Sequence, residues 1–164
     1  MTGSSRLTVS GRTGPVVAEE VRRYGRVGVE TGGLVLAGYG TSSVSIAAFA
    51  GTTGITRSRL QLQISDLALD RLFGFAEQQR CWIPAQFHSH AERAFLSETD
   101  RDHGLRVQWF VSAVIPDFAA PPTRVTAWKW WRFGTEDWLA VSSPPIDHGD
   151  LRLVIFDEDG VRDS

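Results

Sequence analysis

The chain has 164 residues, 42% apolar and 22% charged, the proportions of one ordinary soluble domain. Its 17 basic and 19 acidic residues leave a formal net charge of -2, so no overall field draws it to phosphate backbones or anionic lipid, and neither nucleic acid nor membrane is an expected partner. The single cysteine, Cys81, excludes an internal disulfide scaffold and cysteine-based zinc fingers, and the lone lysine, Lys129, disposes of a lysine-centred phosphate loop.

Residues 1 to 13 are rich in Ser, Thr, Gly and Arg and offer at best an edge strand around Leu7 to Val9. They hold no apolar run of signal-peptide length, and no stretch elsewhere approaches the roughly 18 apolar residues of a spanning helix, so the cytoplasm is the expected compartment. From Pro15, the run VVAEEVRRY sets Val16, Val17, Val21 and Tyr24 at helical intervals, with Gly25 as the stop. LVLAGY and SVSIAAFA, separated by Gly40, Thr41 and Ser42, predict two strands joined by a hairpin turn, and a short strand follows over Leu60 to Ile64. Ser65 caps an apolar repeat at Leu67, Leu69, Leu72, Phe73 and Ala76, an amphipathic helix that Pro84 bars from continuing.

AQFHSH predicts a strand, and Ser97 opens a short helix towards Gly104. WFVSAVI and TRVTAWKWWRF predict strands on either side of a turn at Ala119 to Pro122, with Trp128 and Trp130 on one face, read as core rather than as a nucleic-acid platform. DWLAVS and LRLVIF predict edge strands, and the last residues predict a frayed end. With no repeat and no convincing linker, the sum is a single α+β domain over residues 1-164, strands gathered into a sheet flanked by two larger helices and one short one.

The usual nucleophile and cofactor signatures are missing: there is no Gly-x-Ser-x-Gly elbow, no His-Glu-x-x-His helix, and Gly38-Tyr39-Gly40 lacks the third glycine of a dinucleotide loop. Cys81, between a core-facing helix and Trp82-Ile83, reads as a buried, inert thiol. The chemistry concentrates in HSHAERAFLSETD. On a strand, His88 and His90 project to the same side, where their ring nitrogens can converge on one ion. Asp100 can complete the set if the loop folds back, and imidazole with carboxylate suits zinc, three protein ligands leaving the fourth tetrahedral position for water. The bland account is that Ser97 to Asp100 forms a capping box and the histidines are half-exposed strand residues. Spacing alone supports either. A metal-activated water needs a base, and Glu30 is the candidate. It precedes a Thr31-Gly32-Gly33 turn in which two glycines permit close backbone approach, although taken by itself a Glu beside a turn is read as facing solvent.

Together, the Glu-Thr-Gly-Gly segment at Glu30 and the His-x-His that six residues separate from Ser-x-x-Asp closely resemble the JAMM (MPN-type, JAB-domain) zinc metalloprotease family. The resemblance covers residues 15 to 132, and at motif level Glu30 to Gly33 and His88 to Asp100. Ala91 and Leu96 stand where members often carry proline, and no ligand position is lost. The resemblance implies a JAB/MPN-like, cytidine-deaminase-like architecture with a mixed, mainly antiparallel sheet. It also implies one Zn²⁺ per chain held by His88, His90 and Asp100, with Glu30 as general base and acid, and Ser97 as donor to the oxyanion. The implied activity is that of a deubiquitinase-like isopeptidase, hydrolysing the amide bond after the C-terminal glycine of a ubiquitin-like protein; compact members of this kind look like bacterial forms. The alternative is a non-catalytic, metal-stabilised MPN-like protein-binding module. An exposed side of the Trp strand could serve a homo-oligomer or a substrate, His103 on the short helix is read as exposed rather than as approaching the metal, His148 is expected in solvent, and Arg93 and Phe95 lie in the loop between the ligands.

Overall fold

The computed structural model describes residues 7–164. In chain order the first half contains β1 (Val9–Ser10), α1 (Thr13–Gly25), β2 (Gly32–Gly38), β3 (Val44–Ala50), β4 (Ile55–Arg57), β5 (Leu62–Ile64) and α2 (Asp66–Gln78). The second half contains β6 (Cys81–Ser89), α3 (Glu98–His103), β7 (Val111–Ile115), β8 (Lys129–Phe133), β9 (Trp138–Val141), β10 (Ile146–Asp147), β11 (Arg152–Asp157) and β12 (Gly160–Asp163). The fold is α+β. Eight strands form one mixed sheet in the order β12-β11-β3-β2-β6-β7-β8-β9, in which β11–β3 and β6–β7 are parallel and every other pair antiparallel. β1 with β10 and β4 with β5 make two small ribbons.

The sheet is covered on both sides, which is why its central strands are apolar almost throughout instead of alternating. Val35, Ala47, Phe49, Ala85 and Phe87 pack with Val17 and Val21 of α1. Leu34, Leu36, Ile46, Ala48 and Val154 face the other way and pack with Ala68, Leu72 and Ala76 of α2. Pro15 sits in the first turn of α1, where its missing N–H leaves no helical bond unmade. The Ser65 hydroxyl caps α2 by accepting from the Ala68 amide at 3.2 Å, as its position predicts.

Four expectations are corrected. Pro84 does not merely limit α2, which already ends at Gln78; it lies inside β6. There Val35 pairs with Ala85 but Ala37 with Trp82, so β6 carries one extra residue, and this bulge removes the proline from the ladder that its missing N–H would break. TRVTAWKWWRF is not one strand: Val125–Ala127 forms a 3-10 turn, and extension starts at Lys129. LRLVIF is not an edge, because β11 lies between β3 and β12, and the C-terminal residues are that outer strand rather than a frayed end. The Asp157 carboxylate holds them, accepting from Arg162 at 2.9 and 3.1 Å and from the amides of Thr52 and Asp159. Finally, β4 has no sequence signal of its own, being three residues without an apolar run.

Trp128 and Trp130 stack at 5.9 Å between centroids and are buried, each indole N–H donating to a carbonyl, of Pro122 and Val125 respectively. Their rings are thus core, as read from sequence. No helix among the described residues is long and apolar enough to cross a membrane.

Candidate metal centre

The last turn of strand β6 sets the site. His88 lies within the strand and His90 just beyond it, both buried, so the alternation that places them on one side also removes them from water. Their Nε2 atoms are 3.2 Å apart. The chain then runs through Phe95, whose ring meets His90 edge-on at 4.7 Å between centroids and restricts its rotation. At Ser97 the chain turns into α3 through a full capping box: the Ser97 hydroxyl accepts from the Asp100 amide at 3.1 Å, and the Ser97 amide donates to Asp100 Oδ2 at 3.0 Å.

Of the bland account, the capping box holds and the half-exposed histidines do not, since both are buried. The cap is made, and it aims Asp100 at the histidines: its Oδ2 lies 3.1 Å from His88 Nε2 and 3.2 Å from His90 Nε2. The three donor atoms form a nearly equilateral triangle of 3.1 to 3.2 Å. For ligands about 2.0 Å from a tetrahedral ion, the edge of a tetrahedral face is about 3.3 Å, so the triangle fits one face and leaves the fourth corner open. His88, His90 and Asp100 can hold a metal ion. Burial opposes the charge on Asp100, but hydrogen bonds from the two imidazoles and the Ser97 amide outweigh it and hold the carboxyl well below the usual carboxylate range. It is thus anionic, as a ligand must be.

Glu30 comes from the neighbouring strand. β2 pairs antiparallel with β6 in a register that opposes Gly32 to His88, which brings the residues just before β2 beside the histidines. Glu30 is buried, not solvent-facing, and its Oε1 lies 4.0 Å from His90 Nε2. Burial, reinforced by the charge of Asp100, pushes its pKa up to about 8. The glycines act through close approach: a Cβ on Gly32 would stand 2.2 Å from the Phe87 carbonyl oxygen, and one on Gly33 2.0 Å from that of Ala48.

All five residues named from sequence gather here. His148 is exposed, as expected, while the side chain of His103 lies outside the described residues. Cys81 is buried, and that burial raises its thiol pKa, in keeping with an inert core residue. Sequence reasoning passed over Ser89, Thr31 and Arg57. Ser89 points away from the metal side to the residue before β2, where its hydroxyl accepts from the Thr31 amide at 3.0 Å and donates to the Thr31 carbonyl at 3.2 Å. The signal was present: a residue between two ligands on a strand must face the opposite side, and a polar one there needs a partner.

A cleft of about 560 Å³ reaches His88 and Asp100. Its walls include β5, Leu34, Leu69 and Leu105 with the amides Gln61, Gln63 and Gln86, and its carboxylates are Asp66 and Asp100.

No protein-family model matches the chain, and no curated protein matches it. Among solved structures, the solution structure of a structural-genomics target from Desulfitobacterium hafniense is similar, with a TM-score of 0.64 and 13% identity over 90% of this chain and 92% of that one. At that identity the likeness is one of fold.

Proposed function

We propose that the protein is a zinc-dependent peptidase of JAMM (MPN-type) character that cleaves the amide bond after the C-terminal glycine of a ubiquitin-like protein. The observation that carries the reading is the approach of the buried Glu30 to the triangle of His88, His90 and Asp100, two of whose members, His88 and Asp100, line a cleft. A buried ion serving only stability would not need a further buried, ionisable carboxyl beside it, because such a group costs desolvation.

When bound, zinc would supply Lewis acidity and bring a water's pKa down to about 7. Glu30 takes the proton of the attacking water and passes it to the leaving amine; burial raises its pKa in the metal-free chain, and a bound cation would favour the ionised form that a base requires. The Ser97 hydroxyl accepts from the Asp100 amide and donates to no described residue, so its own proton is free for the substrate oxyanion. Among the described residues β5 pairs with β4 alone and lines the cleft, so an incoming extended main chain can add to its free side.

The test joins metal analysis to cleavage. Protein purified without added zinc should carry about one equivalent, and it should release X from a ubiquitin-like protein fused as Gly-Gly-X until a chelator is added. Stoichiometric zinc with no cleavage of any such fusion would favour a metal-stabilised binding module.

A further inference from the structure

Arg57 ends β4, and burial draws its pKa down, so its charge is held there at a cost. Its guanidinium donates to the carbonyls of Ala50 at 2.6 Å and Gly51 at 2.7 Å, and twice to Thr31 Oγ1 at 3.1 Å, and it lies 3.9 Å from the centroid of the Tyr24 ring. Thr31 follows Glu30, and the next residue of the β4–β5 hairpin, Ser58, accepts the Glu30 amide at 2.8 Å. The hairpin therefore grips the Glu30–Thr31 pair at both residues, while Ser89 ties Thr31 to the histidine strand from the other side. The Glu30 carboxyl accepts no hydrogen bond from any described side chain or amide, so its place is set through its backbone.

We infer that Arg57 is a positioning residue for Glu30: its planar fork locks the hairpin, one wall of the cleft, to the segment that carries the base. A lysine would not reproduce this set, because an ammonium has three N–H donors against the four bonds that the planar guanidinium makes here. The inference rests on the reading of Glu30 as the base.

The test compares Arg57→Gln and Thr31→Val in the full, zinc-loaded chain; the second removes the hydroxyl but leaves the two carbonyl bonds of Arg57. Hydrogen exchange of the Glu30 amide should quicken about 10-fold or more in both variants, while the amides of Leu34 and Val35 keep their rates. Cleavage of the Gly-Gly-X fusion should fall about 10-fold in kcat in Arg57→Gln at full zinc occupancy, with no further fall when Arg57→Gln is added to Glu30→Gln, because one residue acts through the other. Unchanged Glu30 exchange, acceleration shared equally by Leu34 and Val35, or a multiplied loss in the Glu30→Gln background would overturn the inference. If Arg57→Gln does not fold, Thr31→Val decides alone. If the wild-type protein cleaves no fusion, the peptidase reading fails, and the exchange rates still decide whether Arg57 holds Glu30.

Discussion

Replacing Glu30 by Gln separates the stability cost of a buried acid from its use. The side chain is 5% exposed, and its pKa rises from 4.5 to about 8 on folding of the metal-free chain. Between those values the folded state keeps a proton that the unfolded chain has released, so stability falls as pH rises, by about 1.4 kcal/mol per pH unit. By neutral pH the accumulated penalty is on the order of 3 kcal/mol. Gln has the same shape and cannot ionise. Metal-free Glu30→Gln should therefore match the wild type near pH 4 and exceed it by about 1 to 3 kcal/mol near pH 7, read from urea unfolding midpoints at constant m. Zinc should narrow the gap, since a nearby cation favours the ionised acid. In the loaded variant, metal content should persist while turnover drops about 10²- to 10⁴-fold. Parallel pH profiles for the two metal-free proteins would refute the reasoning, because they would mean that Glu30 ionises as freely in the fold as in the open chain.

Two further outcomes test the frame around the site. Ser97→Ala removes the acceptor for the Asp100 amide; the cap loss should cost about 1 kcal/mol, and zinc affinity, measured by competition with a chromophoric chelator, should weaken about 10-fold as Asp100 loses its aim. Gly32→Ala places a Cβ 2.2 Å from the Phe87 carbonyl oxygen, directly across from His88; melting should report a loss of about 2 kcal/mol or more, and a wild-type melting temperature would contradict the close approach.

The site was legible in sequence to the extent that its signals are local. The His-x-His alternation requires only an extended backbone, and Ser97 to Asp100 requires only a helix start; each survives any tertiary arrangement. The burial of Glu30 was not legible, because a carboxyl next to two glycines is solvent-facing unless another strand covers it, and that cover is the register of Gly32 with His88. Arg57 was invisible for a related reason: β4 is too short to show a period, and its arginine reads as a surface charge until Thr31 and Tyr24 are seen around it. Among the larger elements, Pro84 and LRLVIF misled in the same way. A proline is a breaker only where its N–H is needed, and a strand is an edge only if nothing pairs outside it, and both conditions are set by partners far away in the chain.

The strand order explains why these distant signals meet. β6 and β7 are parallel neighbours, so the chain must leave the carboxyl end of β6 and travel back to the start of β7. That crossover emerges where His88 and His90 stand, and it carries Ser97 and Asp100 within its first turn of helix. β2 runs antiparallel to β6, so its beginning lies at the same end, and the beginning of β2 is where Glu30 sits. Were β2 parallel to β6, Glu30 would lie at the opposite end of the sheet, several residues' length from the imidazoles. One antiparallel and one parallel pairing of β6 thus suffice to bring a glutamate, two histidines and an aspartate to a single edge. The hairpin β4–β5, inserted between β3 and α2, then supplies both a wall of the cleft and the Arg57 bond to Thr31 at that same edge, so the shape of the cleft and the placement of Glu30 depend on one small ribbon.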